Sequence, residues 1–196
     1  MENIISSPFH SNLVALPQHH TSSKIGNLLL KRQWKKHMTE SSPICPSMNI
    51  SEHTATFALG WFWGPDRTFR AVDGCLDATC VYIGGETLNP TYQSIQDHTE
   101  GIHVTFDPSI ISYRQLVEFF FTKASISTCS GSKQYQTGIW WHNATQKEIV
   151  ETVISDVESK RGSLDTIHRS GVTASGVYKA EEYHQKFLEK NPSMSW

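Results

Sequence analysis

Five residues, Gly60-Trp61-Phe62-Trp63-Gly64, occupy the position in this chain that best suits chemistry. They follow an apolar run, 55–59, that is typical of a buried strand, and they precede Pro65-Asp66, which is typical of a first helical turn. A turn from a strand into a helix exposes free backbone N–H groups and the positive end of the helix dipole, and both favour an anion. A cysteine in such a turn would have a lowered pKa and would be a good nucleophile, but this chain has Trp61.

Other residues capable of chemistry follow in short polar motifs. Tyr92 ends Asn89-Pro90-Thr91-Tyr92, Glu100 ends His98-Thr99-Glu100, and Tyr135 follows Gln134. Taken alone, a glutamate at the start of a strand is usually at the surface, and an isolated tyrosine is usually a core residue with a satisfied hydroxyl. Their surroundings must therefore decide whether these residues are functional.

The cysteines and histidines do not form a recognisable metal motif. The four cysteines, at positions 45, 75, 80 and 129, include no Cys-x-x-Cys pair, so neither a zinc site nor a thioredoxin-type redox motif is indicated. We expect Cys75 and Cys80 to be packing residues. His98 and His103 flank Glu100, but this spacing is not a standard ligand pattern on a strand, so no metal is expected.

Length and charge narrow the class of protein. A chain of 196 residues with 38% hydrophobic residues and a net charge of −2 is typical of one ordinary soluble domain, and we expect a monomer. Residues 1–50 carry a balance of +3, so the remainder carries −5, which gives no electrostatic case for nucleic acid. No apolar run approaches the length of a membrane span.

The first 50 residues differ in character from the rest. They are rich in serine, histidine and asparagine and show little hydrophobic periodicity, which favours a disordered extension or a targeting segment. We therefore expect a folded domain over residues 51–196. A cytoplasmic location is expected, or a mitochondrial or plastid location if residues 1–50 are a transit peptide.

Strands and helices are interspersed in groups rather than in strict alternation, which predicts an α+β two-layer sandwich. Strands are predicted over 54–59, 75–83, 102–106 and 137–141, with a short irregular segment over 172–177. Helices are predicted over 66–72, over 112–124 with Ser112 as cap, from a capping box at 145–148 to Gly162, and over 180–188.

Together these motifs resemble the A-type peptide-methionine (S)-sulfoxide reductases, whose signature reads Gly-Cys-Phe-Trp-Gly. The similarity runs in one order over residues 54–192. It also includes Tyr82-Ile83-Gly84-Gly85, the Asn-Pro-Thr-Tyr and His-Thr-Glu motifs, Phe106-Asp107-Pro108 and the closing segment 180–192. The resemblance implies a ferredoxin-like βαββαβ core with added elements.

The resemblance also implies a reaction and a role for each site residue. In the family, a thiolate attacks the sulfur of methionine sulfoxide, and the resulting sulfenic acid is reduced by thioredoxin or another thiol, with no bound cofactor. The substrates implied are oxidised methionine in proteins and free methionine sulfoxide. Glu100 would be the general acid, and the hydroxyls of Tyr92 and Tyr135 would hold the sulfoxide oxygen. Phe62 and Trp63 would cradle the methyl group.

This chain departs from the family pattern at several places. Trp61 stands where the family has its nucleophile, and indole cannot attack sulfur as a thiolate does. Ser130 stands where the family has an aspartate, the segment from Tyr92 to Glu100 is shorter, and no cysteine follows Cys129 to act as a resolving thiol. The sequence as written therefore predicts little or none of the family activity.

Three hypotheses stay open at this stage. The chain is a catalytically dead member that binds methionine or sulfoxide-containing peptides, or residue 61 is a misread cysteine or selenocysteine codon, or Cys129 supplies the missing thiol. The codon for residue 61 tests the second hypothesis, because UGA would favour selenocysteine, whereas UGG would mean a true tryptophan or a sequencing error.

Overall fold

The computed structural model, which describes residues 53–124 and 131–194, contains one six-stranded sheet in the order β5-β4-β1-β3-β2-β6. The strands are β1 (Thr54–Leu59), β2 (Cys75–Ile83), β3 (Thr99–Phe106), β4 (Thr137–Trp141), β5 (His168–Gly171) and β6 (Val177–Lys179). The pair β4 and β5 is parallel, and every other neighbouring pair is antiparallel.

Four helices and one 3₁₀ turn connect the strands. They are α1 (Trp63–Arg70), α2 (Tyr113–Lys123), the 3₁₀ turn Lys133–Tyr135, α3 (Ala144–Arg161) and α4 (Phe187–Lys190). The first four strands with α1 and α2 follow the order βαββαβ, and they lie in the sheet as β4-β1-β3-β2. The expected α+β sandwich with a ferredoxin-like core is confirmed.

One face of the sheet is buried under the helices. Alternate residues of β1 point to this face, and Phe57 stacks with Phe69 of α1 at 5.0 Å and with Phe120 of α2 at 5.4 Å between ring centroids. Ile102 and Val104 of β3 are fully buried in the same cluster. This packing fixes the ends of β1 and β3, from which the candidate site is built.

Most of the predicted elements form where the sequence placed them, and helix caps account for the differences at α1 and α3. The α1 helix begins three residues earlier than predicted, because Phe62 is its N-cap and accepts a bond from the N–H of Asp66 at 2.9 Å. Asn143, rather than Thr145, caps α3, and Gly162 ends that helix as predicted. The β3 strand starts at Thr99, so Glu100 lies within it.

The predicted helix over 180–188 is wrong. That segment consists of turns up to α4, and Lys186 has a left-handed backbone with φ of 55°. Tertiary hydrogen bonds hold it instead, because the N–H of Ala180 donates to the Cys80 carbonyl at 2.9 Å. The Gln185 side chain also bonds to both backbone groups of Cys80.

Among the helices of the described residues, none is both long and apolar enough to cross a membrane. Residues 1–52, Cys129 and Ser130 lie outside the described residues, as do the expectations attached to them.

Candidate active site

A small pocket opens where β1 turns into α1. Gly60 makes the turn with φ of 79°, a left-handed conformation that glycine adopts without strain. The pocket has an empty volume of about 280 Å³, part of it open to solvent, and it is lined by Trp61, Trp63, Tyr92 and Glu100. The structure thus brings together four of the site residues identified in the sequence.

Glu100 forms the buried acidic part of the pocket. Its side chain is 2% exposed, Oε2 accepts the N–H of Phe62 at 3.3 Å, and Oε1 accepts the amide of Gln134 at 2.8 Å. Burial raises the pKa of Glu100 above its usual value, and the two hydrogen bonds oppose that rise in part. A carboxyl group in this environment keeps its proton to higher pH, which is what a general acid requires.

Two tyrosines stand beside this carboxyl group. Tyr92 is 38% exposed in the loop before β3, so it is not a core residue. Tyr135 is partly buried, and its ring centroid lies 6.3 Å from that of Trp61. Burial, with the charge of Glu100 as a further cause, raises the pKa of Tyr135, so its hydroxyl keeps its proton as a donor.

The two aromatic residues after Trp61 take different positions. Trp63 lines the pocket, stacks on Phe187 with ring centroids 3.9 Å apart, and donates its indole N–H to Nδ1 of His184 at 3.2 Å. Phe62 is 1% exposed and packs against Cys80 and other residues behind the pocket. The structure therefore places the Phe62 ring behind the pocket rather than in its lining, and its backbone N–H serves Glu100.

Sequence reasoning missed three residues that hold the site together. Gln134 binds Glu100 directly, and Glu181 accepts both the Tyr82 hydroxyl at 2.7 Å and the Tyr92 N–H at 3.0 Å. His184 is 1% exposed, and its Nδ1 accepts the indole N–H of Trp63. The only sequence signal for these residues is their position in the motifs described above. Gln134 precedes Tyr135, and Glu181 and His184 lie in the closing segment 180–192.

The two described cysteines lie away from the pocket lining. Cys80 is fully buried, its sulfur lies 3.9 Å from the Phe62 carbonyl, and burial raises its pKa far above the usual value, so it stays a thiol. Cys75 belongs to the main hydrophobic core. Within residues 53–124 and 131–194, no group of three or more His, Cys, Asp or Glu side chains is arranged to hold a metal ion.

Comparisons with known proteins agree on one family. Residues 53–196 match the family model described as "Peptide methionine sulfoxide reductase". The chain is 34% identical over 167 residues to peptide methionine sulfoxide reductase MsrA of Azorhizobium caulinodans, covering 80% of this chain and 77% of that protein. It is 35% identical over 147 residues to MsrA of Methanothermobacter thermautotrophicus, covering 70% and 87%.

A comparison with solved structures shows a shared fold. The crystal structure of reduced Mxr1 from Saccharomyces cerevisiae aligns with a TM-score of 0.65 at 26% identity, over 73% of this chain and 87% of that one.

Proposed function

We propose that the pocket receives the side chain of methionine sulfoxide, since the chain belongs to the peptide methionine sulfoxide reductase family. The activity of that family is the reduction of methionine sulfoxide to methionine. The observation that carries the proposal is the buried carboxyl group of Glu100, which lies in one pocket with Trp63 and Tyr92.

Each group in the pocket suits one part of the substrate. A sulfoxide oxygen accepts hydrogen bonds, and the hydroxyls of Tyr92 and Tyr135 can donate them. Glu100 can give its proton to that oxygen as the sulfur–oxygen bond breaks, because burial raises its pKa above the usual value and so favours the protonated form. The aromatic face of Trp63 suits the methyl group next to the sulfur.

The complete reaction requires a thiol. A thiol takes the oxygen from the sulfoxide and becomes a sulfenic acid, methionine leaves, and a second thiol then converts the sulfenic acid to a disulfide and water. For the second thiol we propose a reductant of the thioredoxin kind, and yeast Mxr1 has been solved in complex with Trx2. Residue 61 is where the resemblance puts the first thiol, and an indole cannot do this chemistry.

We therefore propose that the chain as written binds methionine sulfoxide but reduces it little or not at all. The test measures reduction of an S-methionine sulfoxide peptide by dithiothreitol, with the unmodified protein beside its Trp61→Cys variant. We expect the variant to exceed the unmodified protein by at least about a thousandfold, because loss of a covalent nucleophile commonly costs more than that. Trp61→Ser is the matched control, since it empties the same space without supplying a thiol.

The other outcomes identify the alternatives. Activity of the unmodified chain that disappears in Cys129→Ser would show that Cys129 supplies the thiol. Inactivity of both the unmodified chain and Trp61→Cys, with the sulfoxide peptide failing to bind, would refute the proposed function.

A further inference from the structure

Trp61 adds an aromatic wall to the pocket. Its ring centroid lies 6.0 Å from that of Trp63 and 6.3 Å from that of Tyr135, and the ring planes are inclined at 66° and 61°. Tyr92 lines the same pocket. The steep angles indicate that the rings around Trp61 meet as adjacent walls rather than as a stack.

Glu100, the acidic group of this pocket, has no cationic partner within residues 53–124 and 131–194. Among the described residues, no Lys, Arg or His nitrogen lies within 4.0 Å of the Glu100 carboxylate. Its two hydrogen-bond donors, the N–H of Phe62 and the amide of Gln134, are both neutral. Burial without a counter-charge favours the protonated form of Glu100, and a cation bound beside it would favour the carboxylate, which would in turn stabilise the cation.

We propose that Trp61, Trp63, Tyr92 and Tyr135, with Glu100 beside them, form an aromatic cage that binds a quaternary ammonium group. Aromatic faces attract cations, tryptophan most strongly, and methylated ammonium groups are the ligands that such cages recognise. A trimethylammonium group suits this pocket better than a lysine ammonium, which is strongly hydrated and needs acceptors for its three donors.

The cage is open on the side from which a ligand would arrive. Trp61 is 51% exposed and Tyr92 is 38% exposed, while Glu100 at the inner side is 2% exposed. A long side chain such as trimethyllysine can therefore bring its head group between the rings while its backbone stays outside. Free choline carries the same head group and is the second source of this chemistry.

Quaternary ammonium binding and sulfoxide reduction would use the same pocket, and residue 61 distinguishes the two activities. The quaternary ammonium site needs the indole, whereas the reaction proposed above needs a thiol in its place. Trp61→Cys should therefore lose ammonium binding while it gains reductase activity.

The test compares three capped tripeptides, Ac-Gly-X-Gly-NH2, in which X is trimethyllysine, its neutral isostere with carbon in place of the ammonium nitrogen, or lysine. Binding is followed by tryptophan fluorescence and calorimetry with the unmodified full chain, and choline is titrated in parallel. We expect the trimethyllysine peptide to bind about tenfold more tightly than its neutral isostere, since the two differ only in charge. Equal binding of these two peptides would overturn the cage, because it would show simple apolar contact.

Variants locate the site. Trp61→Leu should weaken trimethyllysine binding about tenfold and change binding of the neutral isostere less than about twofold, because leucine keeps an apolar surface but has no π-face. Trp141→Leu, at a partly buried tryptophan outside the pocket lining, is the matched control and should bind as the unmodified chain does. Thermal melting checks that each variant is folded.

Two results contradict the cage directly. No binding of either the trimethyllysine peptide or choline at millimolar concentration would exclude it, as would unchanged binding by Trp61→Leu. Binding of a methionine sulfoxide peptide in the same assay, without ammonium binding, would leave the proposed function standing and remove only the cage.

Discussion

The environment of Glu100 in this pocket changes the pKa of its carboxyl group. It is buried, it accepts only neutral hydrogen-bond donors, and burial raises its pKa. For a carboxyl group with a raised folded-state pKa, the stabilising effect is complete below the unfolded-state pKa. It is lost as the pH rises through the folded-state pKa, because the unfolded chain ionises first.

Glu100→Gln should therefore become more stabilising as the pH rises. We expect the variant's free energy of unfolding, relative to that of the unmodified chain, to be higher at about pH 8 than at about pH 4, by about 1.4 kcal/mol for each unit of pKa difference. Gln134 can turn its amide to bond with the new one. Urea unfolding at both pH values measures the effect, and a difference that stays the same at both would show that Glu100 ionises normally.

At the residue scale, the sequence predicted which side chains line the pocket, but it did not predict which residues hydrogen-bond to them. Trp61, Trp63, Tyr92 and Glu100 were identified from motifs, and they meet in one pocket. The position of the Phe62 ring behind the pocket was not predictable from the sequence. It depends on the helical backbone conformation that Phe62 adopts as the N-cap of α1.

Among the elements, α1 is held to the sheet by a partly buried network of charges. Arg70 lies at its last turn and bonds to Asp66 at 2.6 Å, to Asp77 at 2.9 Å and to the carbonyl of Ala78. Asp66 is 2% exposed and also accepts the N–H of Lys186 at 2.9 Å. This network joins α1 to β2 and to the closing segment, so it supports the turn that carries Trp61.

Arg70→Met should destabilise the protein by about 3 kcal/mol, because removing one partner leaves a buried carboxylate without its counter-charge. Arg114→Met is the matched control, since Arg114 also pairs with two carboxylates, Glu118 and Asp156, but at the surface. The control should change the urea midpoint little. Equal effects of the two substitutions would show that burial of the Arg70 network contributes nothing.

The elements also show which parts of the fold local sequence patterns can predict and which they cannot. The β1, β2 and β4 strands and the Ser112 cap of α2 were predictable because periodicity and capping are local signals. The segment 180–188 has a helical pattern but becomes turns, since its polar side chains find partners more than a hundred residues away along the chain, as Gln185 does at Cys80.

At the scale of the whole molecule, the closing segment 180–192 completes the site that begins at the turn between β1 and α1. Glu181 and His184 support Tyr92 and Trp63, and Gln185 fastens their segment to the sheet. Its Oε1 accepts the Cys80 N–H at 2.9 Å, and its Nε2 donates to the carbonyls of Cys80 at 3.0 Å and Ala180 at 2.9 Å. An amide side chain thus continues the ladder of β2 just past the end of β6.

Gln185→Leu should therefore weaken both the fold and the pocket. Leucine has a similar size but leaves the Cys80 N–H buried without its acceptor, which costs about 1–3 kcal/mol. Hydrogen exchange should become faster at Cys80, and methionine sulfoxide peptide binding should weaken because Trp63 loses the support of His184. Exposed Gln93→Leu is the control substitution. Faster exchange with unchanged peptide binding would show that the closing segment stabilises the sheet but does not shape the pocket.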